Sequence, residues 1–351
     1  MIEKLPSEIL RHVFKIIYED GSINRAEMLE DLYTCIQINK RWCKIAMPIL
    51  WSNIIQSASV INTYMCFFTS EERKELSTKG VPFINIPHKT FMTFCYPSFL
   101  RVLNLQEFTS AIFSWCLHEC PQPISIPYNA LLRGLLNILA KHCKTLQQLY
   151  LDRRYYLDNM HHELWLILQD PITRMLISPV RKLRLDVRKI ISEECSKLLS
   201  EYVRNVKVLI VDMTIMGSYW SWDIRIAQLI SSQKCLTSFT MKGGKCTNFI
   251  ISALEQHSKT LKMIFFRRID FSDCDSINSL KNDCENLEVL IINNCKNLSE
   301  KIREEISIAC FPKLVELDVE GTGGTDNCGQ LLVSKGRNSV NRRENLKINF
   351  Y

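Results

Sequence analysis

The chain has 351 residues, of which 46% are hydrophobic and 23% are charged. These proportions are ordinary for folded proteins, and they exclude a wholly disordered or collagen-like chain. The net charge of +7 comes from 44 Lys and Arg residues against 37 Asp and Glu residues, and so small an excess indicates neither nucleic acid nor membrane as a partner.

The cysteine content and the first residues favour a protein of the cytoplasm and/or nucleus. The 15 cysteines are an odd number, so at least one thiol is unpaired, and we interpret them as reduced thiols. No stretch approaches the roughly 18 apolar residues of a membrane span. Residues 1–4 do not begin a signal-peptide pattern. We therefore expect neither secretion nor membrane insertion.

Residues 1–50 predict three short helices. The first has an apolar face made of Ile9, Leu10, Val13, Phe14 and Ile17. Pro6 suits the first turn of this helix, and Glu8 suits its positive end. A second helix is predicted over residues 29–36 and a third over residues 39–47, where Pro48 ends the pattern.

Four segments of this helical region resemble the F-box family. They are Leu5-Pro6-Ser7-Glu8-Ile9-Leu10, Asp31-Leu32-Tyr33-Thr34-Cys35, Asn39-Lys40-Arg41-Trp42 and Pro48-Ile49-Leu50-Trp51. Their order and separation match the family, and the resemblance covers residues 3–53. It implies a small all-α module that docks into a groove of the Skp-type adaptor of a cullin-RING ubiquitin ligase.

The apolar side chains of such a module exceed what its small interior can hide, so we expect some of them to be exposed. The resemblance implies that the adaptor is bound by Leu5, Pro6, Ile9, Leu10, Val13, Phe14, Leu32, Ile38 and Trp42. Residues 54–97 are predicted to be a linker and an N-terminal cap. Pro82, Pro87 and Pro97 in this segment indicate irregular structure.

From residue 98 onward an apolar triplet recurs, with apolar residues at its positions 1, 4 and 6. The triplets begin at Leu100, Leu146, Val180, Val206, Leu236, Leu261, Leu287 and Leu314. The later spacings of 25 to 30 residues leave room for one amphipathic helix each, as at residues 130–139, 248–256 and 301–309. Such strand and helix units bury their apolar faces only by stacking on each other, which predicts an α/β solenoid with a curved parallel sheet and outer helices.

The repeating unit resembles the leucine-rich repeat family, whose strand is followed by a turn that often holds Asn or Cys. The best match is Leu287-Glu288-Val289-Leu290-Ile291-Ile292-Asn293-Asn294-Cys295, with Cys295 placed where its thiol approaches backbone groups. Other turn positions depart from the pattern. The resemblance implies a leucine-rich-repeat solenoid over residues 98–351, and an F-box followed by such repeats is a known pairing.

Triplet positions 3 and 5 lie on the strand face opposite the core and predict a binding surface. Its candidate target-binding residues are Tyr150, Lys182, Arg184, Ile210, Met263, Phe265, Ile291, Glu316 and Asp318. A basic pair comes early, an acidic pair comes last and apolar residues lie between them, which favours a protein or peptide ligand over nucleic acid. Two alternatives stay open: the C-terminal segment covers this face, or the parallel strands are simply apolar on both faces.

Sequence motifs for catalysis or metal binding are incomplete. Residues 162–166 begin like a zinc-protease helix, but Leu166 replaces the second histidine. Residues 243–246 lack the first glycine and the Ser or Thr of a phosphate loop, and residues 116–120 lack paired Cys-x-x-Cys spacing. We therefore expect no catalytic residues, no metal and no cofactor. The basic residues between 335 and 347 predict a solvated tail, with binding of nucleic acid or an acidic partner as the alternative.

The two resemblances together imply a non-enzymatic substrate-recognition subunit of an SCF-type E3 ubiquitin ligase. The helical module would bind the Skp-type adaptor, and the repeats would hold an unknown protein for degradation close to the ubiquitin-charged enzyme. One alternative is a leucine-rich-repeat interaction scaffold without a ubiquitin-ligase role. Another is a repeat protein that binds nucleic acid, whose affinity would fall steeply with salt.

Overall fold

The computed structural model describes residues 5–19, 25–54, 56–84, 86–120, 127–151, 167–186, 193–214, 222–277, 280, 284–308 and 311–319. Over these residues the chain is a mixed α/β protein whose paired strands run parallel. It divides into two compact units, Met1–Tyr150 with Gln169–Pro179, and Leu151–Leu168 with Val180–Tyr351. The predicted boundaries after residues 53 and 97 both lie inside the first unit.

The first unit begins with the three predicted helices, α1 (Ser7–Glu19), α2 (Arg25–Ile38) and α3 (Lys40–Leu50). The prediction that Pro48 ends the third helix is wrong, because α3 continues through Pro48 to Leu50. A proline in the last turn removes a single backbone hydrogen bond, whereas Ile49 and Leu50 gain burial in the core. Pro6 lies just before α1, and its carbonyl accepts the first helical hydrogen bond, from the Leu10 amide at 3.1 Å.

The interior of the three helices is a small core on which partly buried side chains pack. Its buried members are Leu10, Phe14, Met28, Leu32, Ile45, Ala46, Met47, Ile49 and Leu50. Trp42 packs edge-on against Phe14 with 5.2 Å between ring centroids. Asn39 caps α3 by accepting a hydrogen bond from the Trp42 amide at 2.9 Å. The side chain of Arg41 donates to the Leu5 carbonyl, which joins the start of α1 to the first turn of α3.

The segment predicted to be a linker contains two helices, α4 (Ala58–Met65) and α5 (Ser70–Thr78). Most residues of α5 are charged or polar. A capping box formed by Thr69 and Glu72 stabilises the start of this helix. Arg73 is only 8% exposed. Its guanidinium donates to main-chain carbonyls on both sides of α5, including those of Ile86 at 2.7 Å and Pro87 at 2.5 Å.

The rest of the first unit alternates strands and helices. Strands β1 (Val102–Asn104) and β2 (Gln148–Leu151) pair in parallel, with Leu103 opposite Leu149. The 46-residue interval between their triplets holds two helices, α6 (Leu105–Glu119) and α7 (Tyr128–His142), which explains why it is longer than the later intervals. A short helix, α8 (Pro171–Ile177), packs against α7.

The second unit is built on a parallel sheet whose strands follow one another in chain order. They are β3 (Lys182–Asp186), β4 (Val208–Asp212), β5 (Ser238–Lys242), β7 (Met263–Arg267), β9 (Val289–Asn293) and β10 (Glu316–Asp318). Each strand coincides with a predicted triplet, and the central triplet residues Leu183, Leu209, Phe239, Ile264, Leu290 and Leu317 are in register. The apolar triplet therefore predicted both the strands and their pairing correctly.

Helices connect these strands in the second unit. They are α9 (Glu193–Tyr202), α10 (Trp222–Ser231), α11 (Asn248–Glu255) and α12 (Glu300–Ile308). Neighbouring helices α9, α10 and α11 pack side by side. A second small parallel pair, β6 (Lys245–Thr247) and β8 (Asp270–Asp273), was not predicted from the sequence.

Candidate functional site

An exposed apolar stripe runs along α1 in the first unit. Ile9, Val13 and Ile16 have relative exposures of 48%, 40% and 54%. At about 100° per residue, these positions fall within an arc of about 60° on the helix surface. Leu10 and Phe14, on the neighbouring arc, are each only 1% exposed. One helix thus carries two apolar faces, and only one of them is covered by the described residues of this chain.

The predicted adaptor-binding residues divide into three groups by burial. Leu10, Phe14 and Leu32 lie in the core of the three helices, where they support the fold. Leu5 and Trp42 are partly buried against that core. Pro6, Ile9, Val13 and Ile38 are exposed. Only the exposed group is fully accessible to a partner without rearrangement of the helices.

Sequence reasoning missed two exposed apolar residues in this region, Ile16 on α1 and Tyr33 on α2. The signal for Ile16 is its spacing of seven residues from Ile9 and three from Val13, which places it on the same helix face. Arg11 and Lys15 on α1 are exposed as well, but at about 100° per residue they lie about 100° or more from the stripe on the helix surface.

A second candidate surface is the outward face of the sheet in the second unit. Alternation along most of these strands buries one set of residues and leaves the other set accessible to solvent, whereas all three residues of β10 are half-buried. Of the predicted target-binding residues here, Met263 is 36% exposed. The others are half-buried: Lys182, Arg184, Ile210, Phe265, Ile291, Glu316 and Asp318. Tyr150 belongs to β2 of the first unit, where its hydroxyl donates to Gln148 Oε1 at 2.6 Å.

Strand register gathers these residues into rows that cross the sheet. One row runs Arg184, Ile210, Thr240, Phe265, Ile291 and Asp318 from β3 to β10. With about 4.8 Å between neighbouring strands, this row is about 24 Å long. Its middle is mostly apolar and its last member is acidic, so the surface offers different chemistry along its length.

A further row lies at the carboxyl ends of the strands, two residues beyond the predicted positions. Lys242 of β5 stands opposite Arg267 of β7 in the register. Among the described residues neither side chain forms an ion pair, and the following Arg268 is exposed as well. The alternation that identified Phe265 would have found this pair, had it been followed two residues further along each strand.

The turn after β5 depends on glycine. Gly243 has a φ of 70°, and a Cβ there would lie 2.7 Å from the Thr214 Cα and 2.8 Å from the Met213 carbonyl carbon. Arg268 after β7 and Asn294 after β9 take the same left-handed conformation, with φ of 56° and 54°. These turns hold the ends of the strands, and with them the Lys242 and Arg267 backbone, in place.

The carboxylates beside this basic pair are already engaged. Asp212 Oδ1 accepts hydrogen bonds from the Thr214 amide at 3.2 Å and the Thr214 hydroxyl at 2.8 Å. Asp273 forms an ion pair with Lys245 at 3.0 Å, and hydrogen bonds from Lys245 and Ser272 lower its pKa. Burial raises the pKa of Asp270, but hydrogen bonds from Asn297 and Ser272 outweigh this and leave the pKa lowered.

The cysteines of the described residues are free thiols. Burial raises the pKa of Cys116 to about 12 and that of Cys295 to about 11, so these thiols stay protonated at neutral pH. Cys295 lies at the predicted turn, and its thiol approaches the Phe266 carbonyl at 3.7 Å and the Asn293 carbonyl at 3.5 Å. The prediction that it contacts backbone groups is confirmed.

Within the described ranges, no three His, Cys, Asp or Glu side chains are grouped so that they would hold a metal ion. No helix in the same part of the chain has the length and apolar character needed to cross a membrane. The glycines at 243 and 244 form a turn, as expected. The motif at residues 162–166 and the basic residues between 335 and 347 lie outside the described residues.

No protein-family model matches this chain, and no curated protein matches it. The resemblance to the F-box and leucine-rich repeat families therefore depends on the motifs themselves. Together with the two surfaces described above, this resemblance supports a functional hypothesis.

Proposed function

We propose that this chain is the substrate-recognition subunit of an SCF-type cullin-RING E3 ubiquitin ligase. In this proposal residues 3–53 act as an F-box that binds a Skp-type adaptor, and the strand face of a leucine-rich-repeat solenoid binds the target protein. The chain itself catalyses nothing, and it accelerates ubiquitin transfer by holding the target near the charged enzyme. The observation that carries the proposal is the exposed apolar stripe of Ile9, Val13 and Ile16 on α1.

The free energy gained by burying this stripe indicates how large the adaptor interface must be. Burying a large apolar side chain completely is worth about 1.5–3 kcal/mol, so three half-exposed side chains offer about 2–4 kcal/mol. A micromolar complex needs about 8 kcal/mol before association costs are added. The adaptor must therefore cover more than the stripe, and exposed Tyr33 and Ile38 on α2 are the next large apolar side chains available.

The strand face supports the target-binding half of the proposal. Its rows vary from basic to apolar to acidic, which gives a folded or extended polypeptide several distinct places to bind. Phe265 and Ile291 stand opposite each other in the register and remain half-buried, so a ligand would gain further apolar burial there.

The proposal is tested by co-purification of the full chain with a Skp-type adaptor. We expect a one-to-one complex with the wild-type chain and loss of that complex in the double variant Ile9→Asp/Val13→Asp. Both positions are exposed, so circular dichroism should show intact helices. A Leu10 variant would not serve, because Leu10 is part of the core and its replacement would unfold the module.

The matched control is Ile172→Asp/Met175→Asp on α8, where the two apolar side chains are 46% and 64% exposed. This variant places the same charges on a different helix of the first unit and should keep the complex. Failure of the well-folded wild-type chain to bind the adaptor would refute the ligase assignment.

The second candidate function is a repeat scaffold that binds a partner without ubiquitin transfer. It is favoured by the strand face, because strands of the second unit form the rows of this face. None of the three N-terminal helices contributes to them. Capture of a ligand by the strand face together with failure to bind the adaptor would select this function.

A further inference from the structure

We infer that the strand face takes an extended polypeptide segment that carries an anionic side chain next to apolar ones, with the anionic group held by Lys242 and Arg267. This inference rests on the proposed function in that it describes the target held by the same face. It names the chemistry of the bound segment, which the family resemblance does not provide.

Lys242 and Arg267 form a like-charge pair on the strand face. Lys242 and Arg267 stand opposite each other on adjacent strands β5 and β7, and their side chains project from the same face. Like charges in this arrangement repel each other and destabilise a sheet unless an anion lies between them. Arg267 and Arg268 are exposed, and Lys242 is half-buried. The pair is thus accessible to a ligand.

The described part of the chain provides no counter-ion for the pair. Asp212 is the register neighbour of Lys242, but its carboxylate accepts two hydrogen bonds from Thr214 and makes no ion pair with Lys242. The carboxylate of Asp273 is paired with Lys245 at 3.0 Å. That of Asp270 binds the Asn297 side chain at 2.8 Å and lies 3.5 Å from Lys296.

An apolar surface lies beside the pair. Met263, Phe265 and Arg267 alternate along one face of β7, so Phe265 lies about 6.6 Å from Arg267 along the strand. Ile291 stands beside Phe265 on β9. An extended peptide also advances about 6.6 Å in two residues, so an acidic residue and an apolar residue two positions apart match these two sites.

The far edge of the sheet limits where the anionic side chain can lie. Glu316 and Asp318 on β10 would repel an anionic side chain placed over that strand. The anionic group is therefore expected over β5 and β7. Both a carboxylate and a phosphate satisfy a Lys and Arg pair, since the arginine fork binds either one through two hydrogen bonds.

The test uses immobilised full-length chain and four libraries of nine-residue peptides. The central residue is fixed as Glu, phosphoserine, Ser or Lys, and the flanking positions are degenerate mixtures of Ala, Asn, Leu and Phe. We expect the Glu library, the phosphoserine library or both to be retained about tenfold more than the Ser and Lys libraries. Leu or Phe should be enriched two positions from the fixed residue. Retention of the Glu library assigns a carboxylate, and retention of the phosphoserine library alone assigns a phosphate.

Charge reversal provides the decisive comparison. The Lys242→Glu/Arg267→Glu variant should lose the anionic libraries and retain the Lys library instead. The matched control is Lys234→Glu/Lys259→Glu, which reverses two exposed lysines just before β5 and β7 and should keep the wild-type preference. Equal retention of all four libraries by the wild-type chain would overturn the inference, and so would an unchanged preference in the Lys242→Glu/Arg267→Glu variant.

Adaptor binding separates this inference from the proposed function. The Lys242→Glu/Arg267→Glu variant changes only the strand face and should co-purify with the adaptor as the wild-type chain does. If the wild-type chain selects anionic peptides but binds no adaptor, the ligase assignment fails and the inference about the strand face stands.

Discussion

The N-terminal helices and the strand sheet form their surfaces in different ways. Among the helices, contacts are individual: Asn39 caps α3, Arg41 reaches the Leu5 carbonyl and Trp42 packs on Phe14. In the sheet one backbone hydrogen bond recurs. The amide of a residue just before a strand donates to the carbonyl of the equivalent residue before the preceding strand, at 2.7–2.8 Å. The pairs are Lys207 to Arg181, Thr237 to Lys207, Lys262 to Thr237, Glu288 to Lys262 and Val315 to Glu288.

This difference determines how far each surface keeps its geometry when side chains are substituted. A recurring backbone contact positions the rows of the sheet whatever their side chains are, so the rows can vary in charge and polarity without loss of register. The helix surface has no such repetition, and a single side chain can decide its geometry. The following predictions test this contrast, from the largest effect to the smallest.

The largest effect is expected at Arg73 in the first unit. Arg73→Met should lower the free energy of unfolding by about 3–5 kcal/mol, because several buried and part-buried carbonyls lose their hydrogen-bond donor at once. The measurement is urea unfolding, with hydrogen exchange localised to residues 58–87. Lys74→Met, at an exposed neighbour, is the control and should change stability by less than about 0.5 kcal/mol. Equal effects in the two variants would contradict the assigned role of Arg73.

A smaller effect is expected at the turn after β5. Gly243→Ala should cost about 2–3 kcal/mol, because the added Cβ would clash with the Met213–Thr214 main chain and the residue has a φ of 70°. Gly80→Ala is the control, since Gly80 has a φ of 90° but its nearest neighbour would be 4.0 Å away. That variant should cost about 1 kcal/mol. Thermal unfolding of the two variants measures both costs. Their difference is the cost of the steric clash at Gly243, because both glycines have a positive φ.

The next effect concerns Ile16, which extends the exposed stripe of α1. Ile16→Asp should weaken adaptor binding about tenfold, because burial of a half-exposed isoleucine is worth about 1–1.5 kcal/mol. Isothermal titration calorimetry with the adaptor measures this change. Ile172→Asp on α8 is the control and should leave the dissociation constant unchanged. A larger loss in the control than in Ile16→Asp would place the adaptor interface elsewhere.

The smallest effect depends on pH and involves Glu72. Burial raises the pKa of Glu72, but hydrogen bonds from Lys141 and Thr69 outweigh this and leave the pKa below its usual value of 4.5. Because the folded pKa is lower than the unfolded one, the ionised carboxylate stabilises the first unit fully above pH 4.5. This stabilisation is lost as the pH falls through the folded pKa.

Glu72→Gln should therefore lower the free energy of unfolding by about 0.5–1 kcal/mol at pH 7 and by progressively less below pH 4.5. Unfolding by urea at pH 7 and at pH 3 measures this convergence. Glu71→Gln, on the exposed side of the same turn, is the control. A constant difference between wild type and Glu72→Gln at all pH values would contradict the lowered pKa.

Much of the fold could be predicted because the apolar spacing is local and repeated. The triplets located every described strand except β6 and β8, and the helical spacing around Leu10 and Phe14 located α1. The prediction at Pro48 was wrong because a local rule about proline was outweighed by the burial of Ile49 and Leu50. Spacing could not separate Leu10 from Ile9, since both are apolar and one residue apart.

The sequence by itself determined the period of the strands, the three N-terminal helices and which residues alternate between the two faces of each strand, because these depend on spacing along the chain. Tertiary structure decided which apolar face of α1 stays exposed, since this depends on what α2 and α3 cover. It also decided the binding of Arg73 to distant carbonyls. Such contacts join residues whose separation in sequence says nothing about their distance in space.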